Sequence, residues 1–199
     1  MAVIVADNGS TDRTVEVARA HGAMVVSEPE RGYGAACLRA LESLPQGTEI
    51  VVFMQADASE SADEAHSLIE PIASGEADLV IGSRTLGNAA PGALLPHQVF
   101  GNHLACFLIW AFWRKKFTDL GPFRAIRLDA LRRLNMCDRN YGWTVEMQVK
   151  AVQQGLRIEE IPVSYGLRVA GENKVSGNWK ASLRAGVKII YTVLRAAVR

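Results

Sequence analysis

Short apolar runs recur through the first half of the chain, and each is followed by a stretch with helical spacing. Residues 3–6, 24–26, 50–54 and 79–81 are β-rich and nearly continuous in hydrophobicity, as strands buried on both faces are. Between them, Ala65, Leu68, Ile69 and Ile72 fall at i, i+3, i+4 and i+7, and Cys37, Leu41 and Leu44 repeat at the same period. Ser10, Thr11 and Asp12 supply capping side chains for a first helix that Gly22 ends. The alternation predicts an α/β fold, a three-layer sandwich with helices on both faces of a mostly parallel sheet. In such sheets ligands gather at the carboxyl ends of the strands, where Asp7, Gln55-Ala56-Asp57 and Ser83-Arg84 stand.

The second half is read the same way. Residues 85–98 form a loop rich in Gly, Ala, Pro and Asn, and the helix after it ends in Arg114-Lys115-Lys116. Residues 123–127 and 158–165 read as strands, with a helix at 143–154 that places Val145, Val149 and Val152 on one face. A polar loop at 166–177 leads to a long helix at 178–199. There Lys180, Arg184, Lys188, Arg195 and Arg199 fall within an arc of about 100°, and Trp179, Leu183, Val187, Ile190 and Leu194 fill the adjoining sector. A basic amphipathic helix of this kind suits an anionic lipid surface. A helix packed on the domain with a solvated basic edge gives the same pattern. The most apolar stretch, residues 104–113, is too short to cross the ~30 Å core of a bilayer.

Composition narrows the classes. A length of 199 residues fits one domain, residues 1–199, and 49% hydrophobic with 22% charged residues is the balance of a folded chain. A net charge of +1 supplies no global field for nucleic acid. The three cysteines are scattered, the four histidines lack zinc spacing, and the opening residues lack a basic leader, so a cytoplasmic chain is expected, peripheral on the inner face of the membrane.

Several segments could carry chemistry. Asp7 to Asp12 closes the first strand and opens a helix, so Asp7 could accept hydrogen bonds from a base or ribose, although capping explains the same residues. Arg31-Gly32-Tyr33-Gly34 also opens a helix. It lacks the third glycine of a dinucleotide fingerprint, so it reads as a glycine turn. Gln55-Ala56-Asp57-Ala58-Ser59 puts oxygens after the most apolar strand, and a divalent ion on a diphosphate needs only one or two protein oxygens. Arg84 could grip phosphate with its fork, and Arg168 and Lys174 bracket Gly171 in a loop able to neutralise a departing diphosphate. Glu146 is the candidate base for a hydroxyl acceptor, or else a carboxylate satisfied on its own helix.

In order, VADNGSTD, EPERGYGAA, VVFMQAD, ADLVIGSR, FTDLGPFRAIR, YGWTVEMQVKA, IPVSY and RVAGENKVSG closely resemble family-two glycosyltransferases of GT-A type. Within them the chain is most similar to the dolichyl- or polyprenyl-phosphate mannose and glucose synthase branch. The resemblance implies an inverting transfer of a hexose from a nucleotide diphosphate sugar, of UDP-glucose or GDP-mannose type, to a lipid phosphate acceptor at a membrane surface. It implies that Asp7 contacts the nucleoside, with Arg31, Gly32, Gln55 and Ala56 also binding substrate. Asp57 and Ser59 would hold Mg2+ or Mn2+, and Arg84, Arg168 and Lys174 would hold phosphates, so that Asp57 and Arg84 carry the catalysis.

This sequence departs from the family pattern at four places: it starts at the pattern's second strand, Gln55 stands for an Asp, His103 for a basic residue and Asn173 for a serine. The first two lead us to expect slow turnover and a sheet edge that could pair with a second copy as a homo-oligomer. The competing class is a non-catalytic binder of sugar nucleotide or lipid phosphate. A nucleotidyltransferase would need a Gly-rich, Lys-bearing first loop that these residues do not supply.

Overall fold

The computed structural model describes residues 1–168 and 179–198, the side chains of 179–185 excepted. Two hydrogen-bonded sheets organise it. The first pairs β1 (Ile4–Asp7) with β2 (Met24–Ser27) in parallel, with Ile4 opposite Met24 and Asp7 opposite Ser27. Helix α1 (Thr14–Ala20) connects them and buries no residue; α2 (Tyr33–Leu41) follows.

The second sheet has four strands in the order β3-β5-β4-β6: β3 is Ile50–Phe53, β4 Leu79–Ser83, β5 Arg124–Arg127 and β6 Ile158–Pro162. β4 and β6 run parallel, while β5 lies antiparallel between β3 and β4. The mostly parallel sheet of the sequence reading therefore carries one reversed strand. α3 (Ala65–Ala73) covers one face, and the alternation of β4 serves both faces. Leu79 and Ile81 join the cluster with Ile109, Ile126, Trp143 and Met147, whereas Val80 faces Leu68, Ile72 and Phe123.

The remaining helices are α4 (Pro96–Trp113), α5 (Leu128–Leu134), α6 (Trp143–Gln153) and α7 (Trp179–Ala197). α4, α6 and α7 pack on one another. Two expectations change. The cap of α1 is displaced: Arg13 is its N-cap without a side-chain bond, and Asp12 instead accepts the Thr14 amide at 3.0 Å. In α7, the core side is formed by Ile189, Val193 and Ala196, while Val187, Tyr191, Leu194 and Val198 are exposed. Of its basic arc, Lys188 is paired with Asp138 at 2.9 Å, and the side chains of Lys180 and Arg184, with Arg199, lie outside the described residues. No helix of the described residues is long and apolar enough to cross a membrane.

Candidate active site

The apolar strand β3 delivers the chain to the turn 55–60, and polar groups then hold that turn from several sides. Asp57 Oδ1 accepts the Ser59 amide at 3.1 Å and also the Ser59 hydroxyl. Ala58, with φ of 59°, is left-handed, a conformation that costs a non-glycine residue on the order of 1 kcal/mol and so must be imposed by its neighbours. Those neighbours come from the segment after β6. The Gly166 amide donates to Ser59 O at 2.7 Å, and Tyr165 bridges Glu60. Arg168 Nη2 reaches Asp57 Oδ2 at 2.8 Å, with the Asp57 side chain only 12% exposed. Asp57 and Arg168, separated by 111 positions, therefore meet. Lys174, expected beside them, lies outside the described residues.

Glu60 was not anticipated. It is buried, its Oε2 accepts the Gln55 amide at 2.8 Å, and its Oε1 has no partner among the described residues. Burial pushes its carboxyl up to about 7, against the pull of the Gln55 amide and Arg84. Glutamates are almost never fully buried unless paired, so no sequence signal marked it.

Arg84 is engaged within the fold. It ends β4, but its fork is spent on a carboxylate: Nε donates to Asp119 Oδ2 and Nη2 to Oδ1, both at 2.8 Å, and its own amide also bonds Oδ2. The guanidinium stacks 5.1 Å from the Tyr165 ring centroid. As folded, Arg84 joins the end of β4 to the 118–121 turn and to the Tyr165 segment, instead of standing open as a catalytic phosphate grip. Behind it, fully buried Arg124 donates to the Gly121 and Thr144 carbonyls, and burial lowers it to about 10. Asp119 lay within a motif already picked out, but its partner is 35 positions away and so was invisible.

On the other sheet, Asp7 Oδ1 accepts the Ser10 amide at 3.0 Å, and hydrogen bonds from Ser10 hold this carboxyl below its usual range. Among the described residues Asp7 and Asp57 share no hydrogen-bond partner. The missed residue is Asn8. Its Nδ2 donates to the Glu28 and Glu30 carbonyls, and its Oδ1 accepts the Gly32 amide at 2.9 Å. Gly32 and Gly34 are required by close approach, since a Cβ on either would overlap the carbonyl oxygens of Arg139 and Asp138. That places Gly32 in a packing contact; Arg31 is exposed beside it. Glu146 is satisfied locally. Burial opposes its ionisation, but the Cys137 thiol, Lys150 and the Asp138 amide outweigh that and hold it below the usual range.

Could this edge hold a hard cation? Among the described residues no three His, Cys, Asp or Glu side chains cluster. The donors at the 55–60 turn are oxygens only, Asp57 with Ser59 beside it and the orphaned Glu60 Oε1 behind. Such a set fits an ion that takes one or two protein oxygens and completes its shell with phosphate and water.

These oxygens stand at the end of β3 in an α/β fold, and comparison with known proteins identifies the family. Residues 1–134 match the model for glycosyl transferase family 2, and the chain belongs to that family. A glycosyltransferase of Mycobacterium tuberculosis, itself uncharacterised, is 37% identical over 183 residues, covering 92% of this chain and 81% of that one. The undecaprenyl-phosphate mannosyltransferase of Micrococcus luteus is 28% identical over 199 residues, covering 88% and 76%. In fold, the chain is similar to glucosyl-3-phosphoglycerate synthase of M. tuberculosis, solved with phosphoglyceric acid. The TM-score is 0.75 at 24% identity, over 98% of this chain and 69% of that one. A structure of the same synthase with Mn2+, UDP-glucose and phosphoglyceric acid gives a TM-score of 0.73.

Proposed function

We propose that this glycosyltransferase moves a hexose from a nucleoside diphosphate sugar to a polyprenyl-phosphate type of acceptor at a membrane surface. The observation that carries the reading is the Asp57–Arg168 contact at the end of β3, a carboxylate and a guanidinium brought together across the sheet edge. Asp57, fixed by Ser59, would hold Mg2+ or Mn2+, and a bound divalent ion supplies positive charge against the leaving diphosphate. Arg168 would supply a guanidinium to the diphosphate oxygens, and Lys174, outside the described residues, would add a second positive charge to them. Asp7 would orient the nucleoside, and Arg84 would act as a positioning residue that keeps Asp119 and Tyr165 in place. A phosphate acceptor is already anionic near neutral pH, so transfer to it needs no strong base. This agrees with the committed state of Glu146.

Support for a lipid acceptor comes from the mannosyltransferase relative and from α4, which leaves Phe100, Phe107 and Phe112 exposed and ends beside Arg114, Lys115 and Lys116. Aromatic and basic side chains together suit a lipid interface. The test is transfer from GDP-mannose and UDP-glucose to undecaprenyl phosphate and to phosphoglyceric acid, with Mn2+ and with chelator. Asp57→Ala should lose at least about a hundredfold in kcat, since the ion is worth several kcal/mol in the transition state. Undiminished turnover in that variant would remove the metal role. Transfer to phosphoglyceric acid with none to the lipid would overturn the acceptor.

A further inference from the structure

A cleft of about 360 Å³ opens between α6, the 137–139 segment and α7, lined by none of the residues around Asp57. That volume is within the range of small-ligand sites. Its charged lining is Arg139, Lys150, Lys188 and Arg195 against Asp138 and Glu146. The two carboxylates are turned inward and saturated. Glu146 takes the amides of Cys137 and Asp138 and the Lys150 ammonium at 2.8 Å. Asp138 takes the amides of Asn140 and Gly142 and the Lys188 ammonium at 2.9 Å. A carboxylate offers about four acceptor sites, and little of either remains for a visitor.

The cations differ. An ammonium has three donors, and among the described residues Lys188 pairs with Asp138 alone. Among the described residues the Arg195 side chain makes no ion pair or hydrogen bond, although it lines the cleft and its fork matches an oxyanion. The internal pairs also hold both lysines in place before any ligand arrives, which lowers the ordering cost of binding. Val149, Tyr191 and Ala196 wall the remainder.

We infer that the α6–α7 cleft is a second binding site, for an oxyanion of the phosphate class gripped by Arg195 and Lys188. It goes beyond the transfer reaction and does not depend on the acceptor. The rim reaches the donor side of the fold: Arg139 Nε pairs with Glu30 at 2.7 Å, and Arg139 O accepts the Ala35 amide at 2.8 Å. An anion that draws on Arg139 therefore changes the hold on the turn between β2 and α2, which makes the site an effector site for the N-terminal unit.

The phosphate could be free or the headgroup of a lipid, and the experiment separates these. Inorganic phosphate is titrated calorimetrically into the metal-free protein, into Arg195→Ala, into Lys188→Gln and into Arg168→Ala. In parallel, flotation is measured with phosphatidic acid and with phosphatidylcholine vesicles. Arg195→Ala should weaken phosphate binding about tenfold, as loss of one charged clamp does, while Arg168→Ala leaves it unchanged. Hydrogen exchange at residues 28–35 should quicken with phosphate in the wild type, as Arg139 is drawn from Glu30, and not in Arg195→Ala. An Arg195-dependent response to vesicles of phosphatidic acid alone assigns the lipid headgroup; a response to free phosphate assigns a soluble ligand. Binding that is lost in Arg168→Ala, or that is equal in wild type, Arg195→Ala and Lys188→Gln, overturns the site. Arg195 is exposed, so its variant should fold, and unchanged thermal unfolding verifies it.

Discussion

The two sheets of this molecule are built to different depths. In the four-stranded sheet every residue of β4 is buried, and Leu79, Val80 and Ile81 are inaccessible to solvent. In the β1-α1-β2 unit no residue of β1 is fully buried and α1 buries none. One sheet is held by apolar area on both faces; the other is held at its tip by polar ties, Asn8 to the Glu28–Gly32 turn and Arg139 to Glu30. The half proposed to read the nucleoside is thus the shallow one, and the half proposed to hold the ion stands on the core. Ligand-binding elements are commonly drawn from the less stable end of a fold.

Matched truncations would break or sharpen this contrast most. Val80→Ala, at a fully buried site, should cost about 2–3 kcal/mol through lost transfer energy and the cavity left behind. Val5→Ala, on half-buried β1, should cost about 1 kcal/mol or less. Urea denaturation midpoints measure both. Equal losses would mean that β1 is as deeply supported as β4.

The contrast was only partly legible in the sequence. Continuous apolar runs located β3 and β4 to within one or two residues, because a strand buried on both faces must be apolar throughout. The same pattern made β1 look equally buried, since residue type reports what could be buried and not whether a partner covers it. The direction of β5 was hidden too: RAIR pairs as well either way, and its neighbours come from far along the chain. Helix α5 was missed because LDALRRL is a single short segment between motifs. At the site, the strand-end positions of Asp7, Asp57 and Arg84 were readable from pattern alone. The Arg84–Asp119 pair and the buried Glu60 were not, because each depends on contacts between distant segments.

A smaller effect concerns what ties the deep sheet at its lower edge. Asp78, just before β4, accepts the Arg157 amide and both arms of its guanidinium, and lies 3.1 Å from Arg127, so β4, β5 and β6 meet on one carboxylate. Hydrogen bonds from Arg157 hold it down at about 2, with burial opposing. A carboxyl depressed in the folded state binds protons more readily once unfolded. Its stabilisation is therefore complete above the unfolded value of 3.8 and is lost as pH falls through about 2. Arg157 is half exposed, which screens the pair, so Asp78→Asn should cost about 1–2 kcal/mol at neutral pH. The variant should also show a flatter loss of stability between pH 4 and pH 2, followed by circular dichroism. An unaltered acid profile would remove Asp78 from the account.

The smallest effect should fall on the shallow sheet, and it tests whether polar ties do hold its tip. Asn8→Ala removes two donations to the Glu28 and Glu30 carbonyls and one acceptance from the Gly32 amide. These groups are partly exposed, so water replaces the lost partners, and the net cost is about 1 kcal/mol in place of three full hydrogen bonds. The urea midpoint should fall by no more than it does in Val5→Ala. The change should appear locally, as roughly fivefold faster hydrogen exchange at residues 28–35, the factor that 1 kcal/mol implies. The donor KM should rise with kcat nearly unchanged, since a loosened turn weakens ground state and transition state binding alike. A loss of kcat without a change in KM would place Asn8 in the chemistry itself. Exchange rates equal to those of the wild type would show that packing of α2 on β1, and not the asparagine, holds the tip.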